Sequence, residues 1–344
     1  MVGDKLGLKI SGIVNSENIS LKDLNGKVVA IDAYNMLYQF LSVIRQRDGT
    51  PLLDSKGKVT SHINGLFYRT ANFMEFGIKP IFVFDGEPHS LKKDTVNMRI
   101  KKREEAKKDW EKALEVGDIE KARTKAQQSS KLTKEMVEES KRLLDHMGIP
   151  WVQAPSEGEA QAAYMVDKDV VYATVSQDFD SLLFGADILL RNMGITGKRK
   201  LPRRNRYVNI EPQIIHLNNM LKDLEISREQ LVDMAILIGT DFNDGIHRVG
   251  EKTAYKLIKK HGNIENVFAE KGWKIDTYKE IREIFLSPKT TDKYELKWDV
   301  ANLDKITKLL CEEHGFSRER IENALTKIED FKKHISQKSL DKWF

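Results

Sequence analysis

Seven acidic side chains have the types and the spacing to do chemistry together. They are Asp32, Asp85, Glu157, Glu159, Asp178, Asp180 and Asp241. Brought within a few ångströms of one another, so many carboxylates would repel too strongly for all of them to stay ionised. Mg²⁺ relieves such repulsion because it prefers oxygen ligands and keeps several waters, so a surplus of acids suits two ions. Two ions about 4 Å apart would activate a water and stabilise the leaving oxygen of a phosphodiester.

Each acid also has a purely structural interpretation. Ser156 and Glu159 fit a capping box, in which Ser156 starts a helix and the Glu159 side chain bonds back to it. Asp32, Asp85 and Asp241 could each be a turn or cap residue. Capping does not explain why acids from three separate strands would meet at one edge of a sheet, so their convergence favours the metal site.

Three short apolar runs predict the scaffold that would position these acids. Residues 28–31, 81–84 and 170–175 are typical of buried strands, and helical patterns at 61–76 and 157–168 alternate with them. This alternation predicts an α/β fold with a mainly parallel central sheet flanked by helices. Ligands gather at the carboxyl ends of parallel strands, which is where four of the acids fall.

A strongly charged helical segment follows the second predicted strand. Between Pro88 and Pro150 there is no proline, which predicts a set of helices. Residues 92–134 contain 14 basic and 8 acidic residues, a net charge of +6 against +5 for the whole chain. A solvated helical face accounts for this charge about as well as a basic arm over a nucleic-acid path does.

Further along the chain, the pattern predicts a hairpin and more helices. Residues 186–210 are interpreted as a hairpin with a basic second arm, and a helix containing Leu231 and Met234 is predicted to end at Gly239. The remainder, to about residue 334, is predicted to be helical.

Composition and missing motifs exclude several classes of protein. The chain is 40% hydrophobic and 32% charged, which indicates a packed globule, and it has no apolar run near the ~20 residues of a membrane span. Its one cysteine, Cys311, allows no intrachain disulfide, so an intracellular location is expected. The serine-hydrolase elbow, the Walker P-loop and the common zinc motifs are absent.

Five motifs in order resemble a known family. They are VAIDAYNMLYQFL, FVFDGEP, APSEGEAQAAY, SQDFDSLLFG and GTDFNDGI. Together they resemble the flap endonucleases, structure-specific 5′ nucleases of DNA replication and repair, and from about residue 6 onward the chain is similar to the archaeal type. The resemblance implies a PIN-like 5′ nuclease fold with a helical arch and a helix-hairpin-helix-type DNA-binding element. It also implies cleavage of 5′ flaps near the junction of single- and double-stranded DNA, 5′–3′ exonuclease activity, and roles in Okazaki fragment maturation and base excision repair.

The resemblance also implies roles for the candidate active-site residues. It assigns Asp32, Asp85, Glu157 and Glu159 to one Mg²⁺ centre and Asp178, Asp180 and Asp241 to a second, with Mn²⁺ able to substitute. Lys92 and Arg99, two helical turns apart, would hold the scissile phosphate and stabilise charge during cleavage. Tyr38 would stack on the terminal nucleotide, with an ordinary core tyrosine as the alternative.

Other residues are implied to bind DNA or a protein partner. Residues 245–262 resemble the family's helix-hairpin-helix variant, where a K⁺ ion is implied and backbone N–H groups would approach a phosphate. The predicted DNA contacts are Arg45, Arg69, Lys102, Arg103, Gly245, Gly250 and Lys252. The tail residues Gln337, Leu340, Trp343 and Phe344 resemble a motif that binds a sliding clamp of the proliferating-cell-nuclear-antigen type, and two large aromatics at a free terminus are poorly explained by folding.

The predicted organisation is that of a cytoplasmic, nucleoid-associated archaeal protein that is monomeric on its own. Its regions are an N-terminal nuclease region 1–100, a helical arch 88–135, an internal nuclease region 117–262, a C-terminal helical region 263–334 and the clamp-binding tail 337–344. Two rival functions stay open at this point. One is a non-catalytic DNA-binding adaptor for the clamp, and the other is a 5′ exonuclease or bubble-cutting relative.

Overall fold

A computed structural model describes residues 10–194, 197–200, 207–326 and 328. Gly3 and the four tail residues of the predicted clamp motif lie outside these ranges. Within them, seven strands form one sheet and two form a separate ribbon. The strands are β1 (Glu17–Asn18), β2 (Val28–Asp32), β3 (Lys79–Phe84), β4 (Trp151–Gln153), β5 (Ala173–Val175), β6 (Ile188–Arg191), β7 (Gly197–Lys200), β8 (Tyr207–Ile210) and β9 (Gln213–His216).

The helices surround the sheet and account for most of the remaining chain. They are α1 (Ala33–Val43), α2 (Ser61–Glu75), α3 (Lys93–Glu115), α4 (Ile119–Gln128), α5 (Lys134–Met147), α6 (Gly158–Asp167), α7 (Asp180–Leu183), α8 (Leu217–Leu224), α9 (Arg228–Ile238), α10 (Glu251–His261), α11 (Ile264–Lys271), α12 (Tyr278–Leu286) and α13 (Leu303–Thr307). Short 3-10 turns lie at Leu21–Leu24 and Ser90–Lys92, and a π-helical turn, Lys308–Glu313, follows α13. In the described part of the chain, no helix has the length and apolar character needed to cross a membrane.

The sheet is mainly parallel, as predicted. Its strand order is β1-β9-β6-β5-β2-β3-β4, and the five strands from β6 to β4 run parallel to their neighbours. Only the β6–β9 and β9–β1 pairings are antiparallel in this sheet, among the described residues. The carboxyl ends of β5, β2 and β3 therefore lie side by side at one edge.

Alternation along the central strands separates two apolar layers. Val29 and Ile31 of β2 pack with Phe82 and Phe84 of β3 against α1, α2 and α5, whereas Ala30 faces the opposite layer, which contains α6. Because successive side chains of a strand point to opposite faces, each central strand is buried on both sides. This explains why the strands appear in the sequence as continuous apolar runs.

The hairpin predicted over residues 186–210 is wrong in its pairing. β6 pairs with β9, not with β8, in the register Ile188↔His216 and Arg191↔Gln213, while β7 and β8 form their own ribbon. Leu189 is fully buried, so β6 lies inside the main sheet between β5 and β9. Sequence proximity suggested a single hairpin, but burial of the apolar β6 decided its partner.

One buried ion pair holds the helices around α9 together. Asp233, 1% exposed, accepts hydrogen bonds from Arg282 Nη2 at 2.7 Å and Nε at 2.9 Å, and its other oxygen accepts the Ile264 N–H at 3.0 Å. Arg282 also donates to Glu265 at 2.9 Å. Burial raises the pKa of Asp233, so its negative charge in the apolar interior depends on Arg282. The pair fixes α12 and α11 on the helix that leads into Asp241.

Replacing Arg282 with methionine should therefore destabilise the protein strongly. The substitution leaves Asp233 buried and unpaired, which costs about 3–5 kcal/mol at fully buried sites. Since Arg282 is partly exposed, we expect the free energy of unfolding from urea titration to fall by about 2–3 kcal/mol. Lys279→Met on the same helix is the control and should change it by less than about 0.5 kcal/mol. Equal unfolding midpoints for Arg282→Met and the native protein would contradict this role.

Candidate active site

The acids predicted to act together come to the carboxyl edge of the central strands. Asp32 is the last residue of β2, Asp85 directly follows β3, and Asp178 lies three residues after β5. Asp180 is the first residue of α7, and Asp241 lies just beyond α9. Because β5, β2 and β3 are adjacent in the sheet, four separate chain segments converge on this edge.

A hydrogen-bonded link joins Asp32 to Asp178. Asp32 Oδ1 accepts the backbone N–H of Asn35 at 3.0 Å and so caps α1. The side chain of Asn35 donates from Nδ2 to Asp178 Oδ2 at 2.9 Å, and its Oδ1 accepts the N–H of Gln177 at 3.1 Å. The structural interpretation of Asp32 as a cap and its place among the acids are therefore both correct.

The first turn of α6 brings two glutamates beside Asp85. The Gly158 N–H donates to Asp85 Oδ1 at 2.7 Å, and a Cβ at residue 158 would lie only 2.8 Å from the same oxygen. Glycine at this position therefore allows the helix to approach the carboxylate closely. Glu157 and Glu159 flank Gly158 and reach the same region.

The capping box proposed for Ser156 and Glu159 is wrong. Glu157, not Ser156, is the N-cap of α6. Ser156 Oγ instead donates to the Glu87 carbonyl at 3.1 Å, and Glu159 Oε1 accepts a hydrogen bond from Ser181 Oγ at 3.0 Å. Glu159 points into the acidic cluster because its partner lies on α7 across the site.

Two basic side chains reach the acids from the start of the arch helix. The Lys92 ammonium hydrogen-bonds Glu157 and lies 3.7 Å from Asp241 Oδ2, and Arg99 Nη2 pairs with Asp241 Oδ1. Burial alone would lower the pKa of Lys92, but the carboxylates of Glu157, Asp241 and Asp85 outweigh it and raise this pKa. Lys92 and Arg99 thus share one acid, as expected of side chains on one helical face.

Burial and mutual repulsion disturb the acids nearest β2 and β3. Burial, followed by the charge of Asp85, raises the pKa of Asp32 well above its ordinary value. Burial and the charge of Glu157 raise the pKa of Asp85 to about 6. Each carboxyl group is therefore shifted toward its protonated form, first by burial and then by the charges of neighbouring acids.

The acids nearest β5 show the same effect. Burial and the charge of Asp180 raise the pKa of Glu159 well above its ordinary value. Burial and Asp241 raise that of Asp178, although Arg99 opposes this shift. The two predicted metal centres are therefore not electrostatically separate, since Glu159 of the first feels Asp180 of the second most strongly among the acids.

The donor chemistry of this site fits a hard divalent cation. Its side chains supply carboxylate oxygens. Burial and neighbouring acids raise the pKa values of Asp32 and Glu159, so a bound cation would stabilise their charged forms. Across residues 10–194, 197–200 and 207–326, however, no three acidic, His or Cys side chains are arranged to hold a metal ion as they stand. Lys92 and Arg99, which bind oxygens of Glu157 and Asp241, provide a physical reason.

Comparison with known proteins identifies the family. The XPG N-terminal domain matches residues 8–106 and the XPG I-region matches residues 148–241, so all seven acids lie within the two regions. Flap endonuclease 1 of Methanosarcina acetivorans is 51% identical over 98% of this chain and 100% of its own length. The chain belongs to the flap endonuclease 1 family. Its activity is that of a structure-specific flap endonuclease, a DNA nuclease of replication and repair, and nucleases of this family depend on divalent metal ions.

Solved structures of relatives support the flap endonuclease fold. Flap endonuclease-1 from Methanococcus jannaschii is 42% identical with a TM-score of 0.75, covering 94% of this chain and 98% of its own. The catalytic core of Rad2 in complex with a DNA substrate is 23% identical with a TM-score of 0.68, covering 91% of this chain and 96% of its own. This second likeness concerns the fold alone.

The arch of this flap endonuclease, formed by α3 and α4, docks beside Tyr38. The guanidinium of Arg103 lies 4.9 Å from the centre of the Tyr38 ring, which is partly exposed. Trp110 Nε1 donates to the Asp48 carbonyl at 3.2 Å, and the ammonium of Lys125 pairs with Asp109 at 2.8 Å. The core-tyrosine alternative therefore does not describe Tyr38, whose ring faces the arch.

The other predicted DNA contacts on this side differ in their surroundings. Lys102 is exposed on α3. Arg45 donates to the carbonyls of Leu41 and Gly49, each at 2.7 Å, and to Ser130 Oγ at 3.0 Å, so it holds the end of α1 to the following loop. Arg69 lies over the Phe73 ring on α2. The DNA-binding roles of these residues stay predictions.

The segment predicted to form a helix-hairpin-helix-type element, residues 245–262, contains α10. Gly245 has a φ of +69°, and a Cβ there would lie 2.4 Å from the backbone of Ile238, so glycine is required by the turn and by this approach. Gly250 is the N-cap of α10, and Lys252 is exposed in its first turn. Glu251, between them, accepts the Gly12 N–H at 3.1 Å. Gly250 and Lys252 are both exposed, so the start of α10 faces solvent.

Sequence reasoning missed the residues that support the acids. Asn35, Ser181 and Gln177 were not singled out, although each contacts an acid or its partner. One signal was available for Asn35, because it follows Asp32 by three residues, the spacing between an N-cap side chain and the backbone N–H that donates to it. Ser181 gave no such signal, since its partner is 22 residues away.

The raised pKa of Asp85 predicts a pH-dependent cost in the metal-free protein. With a folded-state pKa of about 6 against an ordinary value of 3.8, stability falls as the pH rises between these values and stays lower above pH 6. Asp85→Asn should therefore raise the unfolding free energy by about 1–2 kcal/mol at pH 7.5, less than a fully buried shift would give because Asp85 is partly exposed.

The same substitution should have a much smaller effect at pH 4, where the Asp85 carboxyl group is largely protonated in the folded state and close to half protonated in the unfolded state. Urea titrations of both proteins in EDTA at the two pH values provide the measurement. An equal gain at both pH values would show that the effect is not electrostatic.

Proposed function

We propose that this flap endonuclease hydrolyses a phosphodiester near the junction of single- and double-stranded DNA with two Mg²⁺ ions, which Mn²⁺ can replace. It would release a 5′ flap, leave a 5′-phosphate and a 3′-hydroxyl, and also act as a 5′–3′ exonuclease. The observation that carries the proposal is the convergence of seven acids on one sheet edge with Lys92 and Arg99 beside them. Okazaki fragment maturation and base excision repair, in the cytoplasm beside the nucleoid, are the processes that use this reaction.

The acids would hold the ions in two overlapping groups. Asp32, Asp85, Glu157 and Glu159 would form the first, and Asp178, Asp180 and Asp241 the second. Bound Mg²⁺ would supply a water of lowered pKa and compensate charge on the phosphodiester. The side chains of Asn35 and Ser181 orient Asp178 and Glu159, so these acids would present fixed oxygens.

Lys92 and Arg99 would change partners when substrate binds. Lys92 now pairs with Glu157 and Asp241, Arg99 pairs with Asp241, and both cations lie at the base of the predicted arch. A phosphate that enters the site offers oxygens to the same two cations. They would then hold the scissile phosphate and stabilise the charge that develops on it.

Tyr38 and α10 would orient the DNA on either side of this point. The Tyr38 ring would stack on the terminal nucleotide once Arg103 moves from it to a phosphate. The start of α10, with Gly250 and Lys252, would hold the duplex through its backbone phosphates, with K⁺ bound nearby. These contacts read shape rather than sequence.

Paired variants test catalysis and DNA binding separately. Asp178→Ala should bind a 5′-flap substrate in EDTA as the native protein does but cleave it more than about 100-fold more slowly with Mg²⁺, because losing a ligand costs more than the ~10–100-fold of losing a ligand's partner. Lys252→Glu should weaken binding about 10-fold at low salt and retain the native cleavage rate at saturating DNA. The proposal fails if folded Asp178→Ala cleaves at the native rate.

Two rivals make different predictions in the same assay. A DNA-binding adaptor would not cleave in Mg²⁺, and it has no use for seven converging acids. A 5′ exonuclease or bubble-cutting relative would prefer blunt, nicked or bubble substrates to flaps. Comparing these substrates with and without EDTA separates all three.

A sliding clamp is the proposed protein partner. Gln337, Leu340, Trp343 and Phe344 have the spacing of a short helical turn that inserts apolar side chains into a pocket, and this proposal rests on the sequence. Replacing Trp343 and Phe344 together with alanine should weaken binding to an archaeal sliding clamp at least about 10-fold, as expected for buried aromatic anchors. Lys342→Ala is the control. Unchanged affinity of the double variant, measured by calorimetry, would exclude this contact.

A further inference from the structure

Asn35 makes three hydrogen bonds that together span the acidic cluster. Its backbone N–H donates to Asp32 Oδ1 at 3.0 Å, its Nδ2 donates to Asp178 Oδ2 at 2.9 Å, and its Oδ1 accepts the Gln177 N–H at 3.1 Å. Asp32 and Asp178 belong to different groups in the proposed two-ion arrangement. One residue therefore connects the two groups directly.

The orientation of the Asn35 amide is determined by its partners. A backbone N–H can only donate, so the atom facing Gln177 must be the carbonyl oxygen and the NH₂ group must face Asp178. The Gln177 peptide is itself held, because its carbonyl accepts Arg191 Nη2 at 2.9 Å and Nε at 3.1 Å. The position of Asn35 Nδ2 is therefore fixed by two contacts: the hydrogen bond of its Oδ1 to the Gln177 N–H and the hydrogen bond of its backbone N–H to Asp32.

The bond to Asp178 leaves this acid available to a cation. The Asn35 side chain donates to Oδ2 of the carboxylate, and its amide carries no charge. Lys92 and Arg99, by contrast, neutralise the acids that they contact. A neutral donor can stay in place while a cation binds the same carboxylate.

We propose that Asn35 is a positioning residue that sets the relation between Asp32 and Asp178 for divalent-metal binding. This inference rests on the proposed function and adds to it a residue that touches neither substrate nor metal. It predicts that loss of the Asn35 donor weakens metal binding even before DNA is present, because Asp178 then has no fixed orientation relative to Asp32.

Three variants of the full chain separate this role from a general effect on α1. Asn35→Leu keeps the size of the side chain and removes both side-chain bonds, and Asn35→Ser remains polar but is too short to reach Asp178. Gln39→Leu is the control, since Gln39 lies one turn later on α1 with its side chain near Gly194. Thermal melting in EDTA establishes that each variant is folded.

The decisive measurement is Mn²⁺ binding to the DNA-free proteins, followed by electron paramagnetic resonance. Both Asn35 variants should bind Mn²⁺ about 10–100-fold more weakly than the native protein, the usual cost of losing a partner of a ligand. Gln39→Leu should bind as the native protein does. Flap binding in EDTA should be unchanged in all three, and single-turnover cleavage should require correspondingly more Mg²⁺ in the Asn35 variants.

Two outcomes would overturn the inference. One is native Mn²⁺ affinity in either folded Asn35 variant, and the other is an equal loss in Gln39→Leu. A failure of the proposed function looks different, because the native protein itself would then leave the flap intact. The Mn²⁺ titrations would still decide the role of Asn35 in that case.

Discussion

Mutual repulsion among buried carboxylates is the constraint on which the rest of this structure depends. An isolated set of carboxylates would take up protons or separate, and burial together with this repulsion raises the pKa values of Asp32, Asp85 and Glu159. The scaffold resists separation in three ways. Parallel strands buried on both faces hold the chain segments, helix starts donate N–H groups to the acids, and two cations of the arch neutralise part of the charge.

The arch and the sheet edge are therefore electrostatically one unit. Lys92 and Arg99 are attracted to acids in the absence of DNA, and the same two side chains suit a phosphate in its presence. Arg103 likewise has two possible partners, because it lies over the Tyr38 ring and is also a predicted DNA contact. In each case the cation already contacts a protein group, a carboxylate or an aromatic ring, that a substrate phosphate would have to replace. The proposed exchange would let the site remain compact without substrate and still accept a polyanion.

Much of this arrangement could be predicted from the amino-acid sequence because it depends on local pattern. The three central strands, the helix ending at Gly239 and the acids at the strand ends all follow from apolar runs and their neighbours. The errors arose where a distant partner decided the structure. β6 joined β9 because its apolar residues could be buried there, and Glu159 turned to Ser181 on another helix rather than back to Ser156. The hydrogen bond from Arg45 to Ser130 could likewise not be predicted, because the two residues are 85 positions apart in the sequence.

The order of the acids along the chain has a consequence for how the site is made. The seven acids lie between residue 32 and residue 241 of the chain. The strands that precede Asp32, Asp85 and Asp178 lie in the sheet in the order β5-β2-β3, which is not their order in the chain. Contacts this distant in sequence carry a large loop-closure entropy cost, which slows folding. A growing chain shorter than 241 residues also lacks the acid shared by Lys92 and Arg99. Synthesis thus yields no early fragment with the whole cluster, and the site is completed only when most of the molecule has been made.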